Sequence, residues 1–595
     1  MIDKAQQLLK EHYGYETFRP GQARMIESIL SGCDTLGIMP TGGGKSICYQ
    51  IPALIFDGVT LVISPLISLM KDQVDTLINN GISATFINSS IDQDEVENRV
   101  RRVAQGEYKL LYIAPERLES ARFRNLIRSL SIGLVAVDEA HCISAWGHDF
   151  RPSYRAIAPM LRELSGQPVI SAFTATATKE VTADISRLLN MKNPRVFVTG
   201  FDRENLSFMV VRGENKRDFI ERYIETNRNQ SGIIYAATRK EVDGLHQFLR
   251  SKGIAAGKYH AGMSEAERAE FQDKFLYDDV RVMVATNAFG MGIDKSNVRY
   301  VIHYNMPKTM EAYYQEAGRA GRDGEPGECV LLFNPQDIQT QKFLLEQSEL
   351  TPERKAFEYK KLQTMVDYCH TTRCLRQFIL QYFGEEAPET CENCGNCQDD
   401  REQIDRTVDA QKVFSCVRRM HERFGITLVA KVLKGSKSQK VLQFGFDKLT
   451  TYGIMQAYTE KEIADFIQVL VAEGYLRLTE GQYPTIRLTT RAVNVLKGQE
   501  TVSQKEQRKT KKIVADDALF ERLRSLRKEL AEQEKVPPYI IFPDSALREM
   551  SAMMPQDKAS MLAVKGVGQA KWDKYGEAFL QAIKAYAETK TAIER

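Results

Sequence analysis

The sequence contains no long uninterrupted apolar run, although apolar residues make up 43% of its 595 positions. A membrane-spanning helix needs about 20 consecutive, mostly apolar residues, and no stretch of the chain meets that requirement. The first residues, MIDKAQQLLKEHYGYETF, also lack the basic-then-apolar order of a secretory signal peptide. We therefore expect a soluble, cytoplasmic protein that does not associate with membranes.

Cysteine content and net charge are also limited. Ten cysteines in a chain of this length, without a secretion signal, do not indicate a disulfide framework, so clustered cysteines are first considered as metal ligands. The net charge of +3 does not decide whether the protein binds nucleic acid, because such binding depends on local basic patches more than on the total charge. The scattered cysteines are interpreted as small apolar residues, namely Cys33, Cys48, Cys142, Cys329 and Cys416.

Two α/β lobes are predicted, in residues 1–200 and 201–340. In both regions short apolar runs alternate with helical patterns. Runs such as Leu134–Val137 and Val282–Ala285 are apolar at consecutive positions, which is typical of strands covered on both faces. The pattern predicts two tandem doubly wound parallel sheets.

Smaller units follow the two lobes. Residues 341–402 are predicted to form a helical module that ends in a cysteine cluster. Residues 403–500 combine helical patterns with two strand-like segments, which is typical of a winged helix. The polar, basic residues 501–514 predict a linker, and residues 515–592 predict a small all-helical domain.

The stretch Met39–Ser46, MPTGGGKS, has the composition of a phosphate-binding loop. Glycines let backbone N–H groups approach phosphate oxygens, a lysine reaches the terminal phosphates, and a serine or threonine holds Mg²⁺. Lys45 and Ser46 would lie at a helix N-terminus, where the helix dipole favours an anion. Met39 stands where the general pattern has its first glycine, so a plain strand–turn–helix corner is the alternative.

Charged residues in both lobes fit the same site. Asp138 and Glu139 end an apolar strand, where the aspartate can hold Mg²⁺ and the glutamate can polarise the attacking water. Arg319 and Arg322 are three residues apart, on one side of a helix, and an arginine at the γ-phosphate assists phosphoryl transfer. The alternatives are solvated acids at a strand end and a solvated basic helix end. Closure of a cleft between the lobes would bring the arginines to the nucleotide.

A loop rich in aromatic and basic residues follows the acid pair. Trp146, His148, Phe150 and Arg151 lie in CISAWGHDFRPSY and suit stacking on single-stranded bases, worth about 1–3 kcal/mol per base. The alternative is aromatic packing in the core. Because Gly147 and polar neighbours favour an exposed loop, we predict a DNA contact here.

The run C-x-x-C-x-x-C at 391–397 indicates a zinc site. Three thiols need a fourth ligand for tetrahedral zinc, and four protein ligands leave no open position, so the zinc would be structural. Cys369, His370 and Cys374 are the candidates for that ligand, and periodicity does not choose between them.

Several stretches occur together in the order found in superfamily-2 helicases of the RecQ family. They are FRPGQ, PTGGGKS, SPLISLMKDQ, DEAH, FTATAT, ATNAFGMGID and QEAGRAGRDG. Further along, CLRQFILQYFGE with CENCGNC resembles the family's zinc module, and DAQKVFSCVRRMHERFG resembles the start of its winged helix (RQC). VPPYIIFPD and VKGVGQAK resemble its helical HRDC module. The resemblance covers nearly the whole chain, in the arrangement of bacterial RecQ.

The resemblance implies roles for residues at matching positions. It implies RecA-like lobes, Arg322 as the main arginine finger with Arg319 beside it, and Thr174, Thr176 and Asp294 as links between nucleotide and DNA. The relaxed glycine at Met39 also occurs in this superfamily. The implied zinc ligands are Cys374, Cys391, Cys394 and Cys397, which makes Cys369 and His370 helix residues. The implied ATP residues are Arg19 and Gln22 for adenine, then Thr41, Gly42, Gly43, Gly44, Lys45 and Ser46, with Mg²⁺ on Ser46 and Asp138.

Two C-terminal contacts with DNA are also expected. Tyr483 lies near the tip of the predicted wing, where it would stack on the opening base pair or, alternatively, cover the winged-helix core. Tyr539, held by an extended proline pair, would offer a stacking surface, and Lys565 and Lys571 would bind phosphates. The alternative for that last domain is a protein-contact module.

The resemblance implies an ATP-dependent DNA helicase that moves 3′ to 5′ on single strands and unwinds duplex or branched DNA in recombination and repair. A translocase that remodels complexes without unwinding and a DNA-binding scaffold with a vestigial ATPase are the alternatives. The intact Lys45, Asp138, Glu139 and Arg322 disfavour the scaffold, and the wing favours unwinding. A single-strand-binding protein as partner, a monomeric state and association with the nucleoid are further expectations.

Overall fold

The computed structural model describes residues 1–65, 67–88, 91–144, 146–147, 149–164, 166–289, 295–400, 402–479, 481, 484–505, 518–534, 536–564 and 566–593. Within these ranges, no helix combines the length and apolar character needed to cross a bilayer. The chain forms two α/β lobes, a helical zinc module, a winged helix and a C-terminal helical domain, in that order.

The first lobe is built around a seven-stranded parallel sheet. Its elements are α1 (Ile2–Tyr13), α2 (Gln22–Leu30), β1 (Thr35–Ile38), α3 (Ile47–Ile55), β2 (Val59–Ile63), α4 (Ile67–Asn79), β3 (Ala84–Ile87), α5 (Gln93–Ala104), β4 (Leu110–Ile113), α6 (Ala121–Arg128), β5 (Ile132–Val137), α7 (Ile157–Glu163), β6 (Val169–Thr174), α8 (Lys179–Leu188) and β7 (Arg195–Val198). The strand order is β3-β4-β2-β5-β6-β1-β7, so β6 separates β1 from β5.

The second lobe is built around a six-stranded parallel sheet. Its elements are β8 (Leu206–Arg212), α9 (Lys216–Thr226), β9 (Ser231–Tyr235), α10 (Arg239–Ser251), β10 (Ala256–Tyr259), α11 (Glu265–Leu276), β11 (Val282–Ala285), β12 (Val298–His303), α12 (Met310–Ala317) and β13 (Gly327–Phe333). The strand order is β10-β11-β9-β12-β13-β8. Both lobes are RecA-like, with central strands buried on both faces, as the sequence predicts.

The zinc module and the winged helix differ from the predicted boundaries by a few residues. The helix Pro335–Glu346 crosses the expected boundary between 340 and 341, because Asn334 caps it in a capping box. Residues 501–505 were expected in a linker, but Val502 is buried in the winged-helix core and Ser503–Lys505 pairs with Gln403–Asp405. The elements are α13 (Pro335–Glu346), α14 (Pro352–His370), α15 (Leu375–Tyr382), β14 (Gln403–Asp405), α16 (Thr407–Arg419), α17 (Ile426–Lys434), α18 (Gln439–Gln443), α19 (Glu460–Ala472), β15 (Leu476–Leu478), β16 (Ile486–Leu488), α20 (Thr490–Leu496) and β17 (Ser503–Lys505).

The C-terminal helical domain packs against both lobes. Lys528 pairs with Asp279 at 2.8 Å, and Arg548 pairs with Glu325 at 2.8 Å, both in the second lobe. On the first lobe, Gly14 at the end of α1 lies so close to the domain that an added Cβ would come within 2.6 Å of the Gly568 nitrogen. The domain comprises α21 (Ala518–Glu534), α22 (Pro538–Ile541), α23 (Asp544–Met553), α24 (Lys558–Leu562), α25 (Gln569–Lys571) and α26 (Glu577–Ile593).

Candidate functional site

The predicted phosphate loop connects β1 to α3 at the carboxyl edge of the first sheet. The Met39 N–H donates to the Thr174 carbonyl at 3.0 Å, which extends the β1–β6 pairing into the loop. Gly42 and Gly44 have φ of 78° and 79°, a backbone conformation that residues with a Cβ rarely adopt. Lys45 and Ser46 directly precede α3, so the loop has the strand-to-helix geometry that phosphate binding requires.

The expected adenine residues contact the phosphate loop. The Gln22 amide donates to the Gly44 carbonyl at 3.0 Å, and the Arg19 guanidinium donates to the Gly42 carbonyl at 2.5 Å. The Arg19 N–H in turn donates to the Gln22 side-chain oxygen at 2.8 Å. These bonds place both side chains beside the phosphate loop and leave their role in adenine recognition a proposal.

Ser46 lies on a buried polar network that the motif search did not reveal. The Gln73 amide, from SPLISLMKDQ, donates to the Ser46 hydroxyl at 3.1 Å. Gln50 donates to the Gln73 oxygen at 3.2 Å, and the Tyr112 hydroxyl donates to the same oxygen at 3.1 Å. The network fixes the position of the hydroxyl that is expected to hold Mg²⁺.

Asp138 and Glu139 lie at the end of β5, on the same sheet edge as the phosphate loop. Asp138 is 7% exposed, and burial foremost, then the charge of Glu139, raises its pKa to about 7 against the opposing charge of Lys45. Glu139 adopts φ 45°, a left-handed conformation unusual for a residue with a side chain. A divalent cation would stabilise the ionised Asp138, so the donor set fits Mg²⁺.

Thr174 occupies the strand end between these two elements. The His141 Nδ1 atom lies 2.9 Å from the Thr174 hydroxyl and 3.3 Å from a Glu139 carboxylate oxygen. The Thr176 N–H points to the same hydroxyl at 3.3 Å. The sequence-predicted Thr174 and Thr176 are therefore buried and linked to the acid pair through His141.

Arg203 joins the two lobes at the site, and sequence reasoning missed it. Its guanidinium donates to the Thr41 carbonyl of the phosphate loop. It also donates to the carbonyls of Gly321 at 2.7 Å and Ala320 at 3.2 Å, between the two predicted arginine fingers. Burial lowers its pKa below the ordinary value. An arginine in a connecting stretch such as FDRENL has no local pattern that would reveal these partners.

The two predicted arginine fingers face the first lobe from the turn after α12, which ends at Ala317, so the expectation that they share one side of a helix is wrong. Arg319 is buried, and burial lowers its pKa, while the charge of Glu139 across the cleft acts in the opposite direction. The Arg322 Cα lies 3.5 Å from the position of a Cβ on Gly42 of the phosphate loop. Residues 315–322 thus lie against the phosphate loop in this structure.

The aromatic loop is exposed where the zinc module approaches it. Trp146 is 44% exposed, and its ring contacts Phe357 edge-on, with centroids 5.5 Å apart. Arg354 of α14 lies over the Trp146 ring and donates to the Gly147 carbonyl at 3.1 Å. A half-exposed tryptophan at an arginine is consistent with base stacking and is not a core position.

Other DNA candidates in this loop have internal contacts. Arg151 donates to the Pro65 carbonyl at 2.8 Å and to the Asp149 carboxylate at 3.1 Å. Phe150 is half-buried, and the Arg155 guanidinium lies over its ring, 5.0 Å from the ring centroid. Three of the predicted DNA contacts lie outside the described residues, namely His148, Tyr483 and Lys565. Asp294 also lies outside them.

The expectation of an exposed Tyr539 is wrong for this structure. Pro538 occupies the first turn of α22, where a proline is compatible with a helix, so the proline pair does not hold the chain extended. Tyr539 is 9% exposed and joins the buried apolar cluster of the second lobe. Lys571 is half-buried, and desolvation lowers its pKa to about 8. Gly568 packs on the end of α1, so this segment is a contact with the first lobe.

The cysteine cluster forms as predicted. The sulfur atoms of the four residues lie within 4.8 Å of one another, and tetrahedral Zn²⁺ with Zn–S bonds of about 2.3 Å requires sulfur atoms in this range. Backbone N–H groups of Leu375 and Gln377 point at two of these sulfurs at 3.4 Å, as expected for thiolate acceptors. Cys369 and His370 are buried helix residues of α14. The four residues are Cys374, Cys391, Cys394 and Cys397.

The predicted wing is present as a hairpin. β15 and β16 pair antiparallel, with Leu476 opposite Leu488. The Thr485 N–H donates to the Thr479 hydroxyl at 2.8 Å and closes the end of the ladder. The hairpin therefore begins and ends where the alternating pattern predicts.

Family models match the chain in the same order as these units. They are "DEAD/DEAH box helicase" over residues 19–185, "Helicase conserved C-terminal domain" over 215–324, "RecQ zinc-binding" over 335–398, "RQC domain" over 400–513 and "HRDC domain" over 516–583.

Relatives match over almost the whole chain. The ATP-dependent DNA helicase RecQ of Bacillus subtilis is 53% identical over 588 residues, covering 99% of each chain. The protein of the same name from Pasteurella multocida is 42% identical, covering 98% of this chain and 94% of its own. A solved structure of Mss116p bound to ssRNA and AMP-PNP is 18% identical, with a TM-score of 0.48, and covers 64% of this chain and 88% of that one. Given identity above one half along nearly its full length, the chain belongs to the RecQ family and is an ATP-dependent DNA helicase.

Proposed function

We propose that the protein moves 3′ to 5′ along single-stranded DNA, using ATP and Mg²⁺, and unwinds duplex or branched DNA. The observation that supports this best is the continuity between the acid pair and the exposed aromatic loop. His141 contacts both Glu139 and Thr174, and the same chain segment continues directly to the half-exposed Trp146. A base that stacks on Trp146 would therefore act on the segment that orients Glu139.

The residues of the first lobe are proposed to bind the nucleotide and its metal. The phosphate loop with Lys45 would hold the phosphates, and Ser46 and Asp138 would hold Mg²⁺. The ion, when bound, neutralises charge on the phosphate oxygens. Glu139 is proposed to orient the attacking water, because its carboxylate lies beside the buried Asp138 at the sheet edge.

The second lobe is proposed to complete the site. Arg319 and Arg322 would stabilise negative charge that develops on the transferred phosphoryl group. Their contact with the phosphate loop through Arg203 supports a mechanism in which ATP draws the lobes together and hydrolysis releases them. Relative movement of the lobes would advance the DNA strand.

One further DNA-directed role is proposed from the sequence. The β15–β16 hairpin is proposed to keep the parted strands apart, with Tyr483 stacking on the opening base pair. Tyr483→Ala would then slow duplex unwinding without changing DNA-stimulated hydrolysis or thermal stability. A lower melting temperature in that variant would instead assign Tyr483 to the winged-helix core.

Strand displacement tests the proposed function directly. We expect a duplex with a 3′ single-stranded tail to be unwound with ATP, while the same duplex with a 5′ tail is not. Phosphate release measured in parallel separates the alternatives. ATP hydrolysis that DNA stimulates, without displacement of either duplex, would identify a translocase that remodels complexes. ATP hydrolysis that DNA does not change would contradict the coupling between DNA binding and hydrolysis.

The wider setting is also proposed from the family. We infer that the protein acts as a monomer in recombination and repair at the nucleoid, with a single-strand-binding protein as a partner. Sedimentation of the purified chain with and without that partner and DNA tests the monomeric state and the partnership.

A further inference from the structure

A buried network lies in the second lobe directly behind Arg319. Its centre is His303, the last residue of β12, which is 1% exposed. His303 is in register with Tyr235 at the end of the neighbouring strand β9. Their rings are stacked, with centroids 5.6 Å apart and planes at 26°. The Tyr313 ring also contacts His303, with its centroid 5.0 Å from that of the imidazole.

The imidazole of His303 holds the carboxylate of Glu316. The His303 Nε2 atom lies 2.9 Å from Glu316 Oε2. Glu316 is at the end of α12, one turn before Arg319, and the Arg319 N–H donates to the Glu316 carbonyl at 3.2 Å. The hydrogen bond to His303 restricts the carboxylate to one orientation beside the backbone turn from which Arg319 projects.

Arg319 depends on these neighbours because it is buried. Burial lowers its pKa, and the charges of Tyr235, Glu316 and Glu139 oppose that effect. Burial likewise raises the pKa of Tyr235 to about 12, and the charge of Arg319 acts in the opposite direction. A buried guanidinium is tolerated only beside fixed acceptors. The charges of Tyr235 and Glu316 act on Arg319 from the lobe 2 side, and the charge of Glu139 acts from across the cleft.

We propose that His303 and Glu316 are positioning residues for Arg319, holding its guanidinium in the orientation in which it meets the nucleotide phosphates across the cleft. This inference rests on the proposed role of Arg319. His303 acts through two contacts: its ring fixes Tyr235, and its Nε2 fixes Glu316. The Arg319 Nε atom has no hydrogen-bond partner among the described residues, which leaves part of the guanidinium available to an incoming oxyanion.

The physical reason is preorganisation. A charged donor assists phosphoryl transfer most when it does not have to reorient during the reaction. A glutamate released from His303 would be free to rotate and to pair more closely with Arg319, which would hold the guanidinium back from the phosphate. Loss of the hydrogen bond between His303 and Glu316 is therefore expected to lower kcat more than it weakens nucleotide binding.

A set of substitutions at His303 and Glu316 tests the positioning role. His303→Leu removes the donor, whereas His303→Gln retains an N–H that reaches the carboxylate. We expect His303→Leu to lower the DNA-stimulated kcat tenfold or more, with KM for ATP and affinity for single-stranded DNA within twofold of wild type. His303→Gln should recover kcat to within about threefold, and Glu316→Ala should resemble His303→Leu.

His246 supplies a matched control. It is a buried histidine of the same lobe, on α10, whose Nε2 lies 3.1 Å from the Ala256 carbonyl, away from Arg319. His246→Leu removes a comparable buried hydrogen bond and is expected to leave kcat unchanged, whatever its melting temperature. Equal losses of kcat in the His246 and His303 variants would overturn the proposal in favour of general destabilisation.

A double-mutant cycle separates this inference from the proposed role of Arg319. In an Arg319→Ala background, His303→Leu is expected to have no further effect on kcat, because the two act as one unit. Additive losses would overturn the positioning role while leaving Arg319 catalytic. Wild-type kcat in Arg319→Ala alone would remove the role of Arg319, and the inference with it. Should His303→Leu fail to fold, the same cycle is run with Glu316→Gln, for which additivity has the same meaning.

Discussion

His141 hydrogen-bonds Thr174, with 2.9 Å between Nδ1 and the hydroxyl oxygen. The histidine belongs to the acid-pair segment that follows β5, and the threonine ends β6, the strand between that segment and the phosphate loop. His141 also lies 3.3 Å from the Glu139 carboxylate. A shift of either strand end would therefore change the surroundings of that carboxylate. We propose this bond as a route by which DNA binding affects ATP hydrolysis.

Thr174→Val removes the hydroxyl at nearly constant volume and tests that route. We expect basal ATP hydrolysis to stay within about threefold of wild type, while unwinding per ATP hydrolysed falls tenfold or more. Phosphate release and strand displacement measured on the same sample give the ratio. Thr182→Val is the matched control, because that hydroxyl donates to the carbonyl of Thr178, the residue that precedes α8. An unchanged ratio in Thr174→Val would exclude the hydroxyl from coupling.

Lys45→Ala tests the phosphate loop. The substitution removes the charge expected to reach the terminal phosphates, so ATP hydrolysis should fall at least a hundredfold, while single-stranded DNA binding persists. Fluorescence anisotropy with labelled DNA measures the second quantity. Lys274→Ala, at an exposed lysine paired with Glu270, should leave both unchanged. Near-wild-type hydrolysis in Lys45→Ala would make the segment a strand–turn–helix corner without a catalytic role.

Trp146→Ala tests the aromatic loop. Because the side chain is half-exposed, its removal should leave basal hydrolysis and melting temperature close to wild type. Stimulation of hydrolysis by single-stranded DNA should fall tenfold or more, since one stacked base is worth about 1–3 kcal/mol.

The chain has two tryptophans, which allows a direct optical check. In a Trp572→Phe background, Trp146 is the sole emitter, and base stacking should quench its fluorescence as DNA is added. Full stimulation of ATP hydrolysis by DNA in Trp146→Ala, or Trp146 fluorescence that DNA does not change, would show that the ring packs against Phe357 and does not stack on bases.

The buried central strands were predictable because their apolar runs are continuous. β2, β5 and β9 have this pattern. The edge strand β7 was not predicted, because its apolar run, VFV, is only three residues long and its side chains are largely exposed. β10 was missed because Gly257 and Lys258 interrupt its pattern.

The motifs around the phosphate loop and the acid pair were recognisable because each is local in sequence. Arg203 was not, since its partner Thr41 lies in the other lobe and no spacing rule connects them. Tyr539 was misjudged because a proline pair is compatible both with an extended chain and with the first turn of a helix. Only the packing of the C-terminal domain on the second lobe decides between them.

Zinc removal tests the cysteine cluster. We expect one zinc per chain by elemental analysis of freshly purified protein. Cys394→Ala should misfold or be degraded, because structural zinc contributes directly to folding and Cys394 is also buried against β8. Cys33→Ala, at a cysteine outside the cluster, should keep both zinc and solubility. Zinc-free protein with native stability would contradict a structural metal.

Arg203→Ala tests the link between the lobes. The guanidinium donates to carbonyls of the phosphate loop and of the turn between the arginine fingers, so its loss frees both segments at once. A hydrogen bond from a charged donor is worth about 1.5–3 kcal/mol, which corresponds to roughly tenfold or more in kcat/KM for ATP. Arg203→Lys should rescue little, because an ammonium keeps the charge but lacks the planar fork that reaches several carbonyls. Single-stranded DNA binding should persist, since none of these contacts lies at the aromatic loop. Wild-type kcat/KM in Arg203→Ala, with an unchanged melting temperature, would show that the lobes meet productively without this arginine.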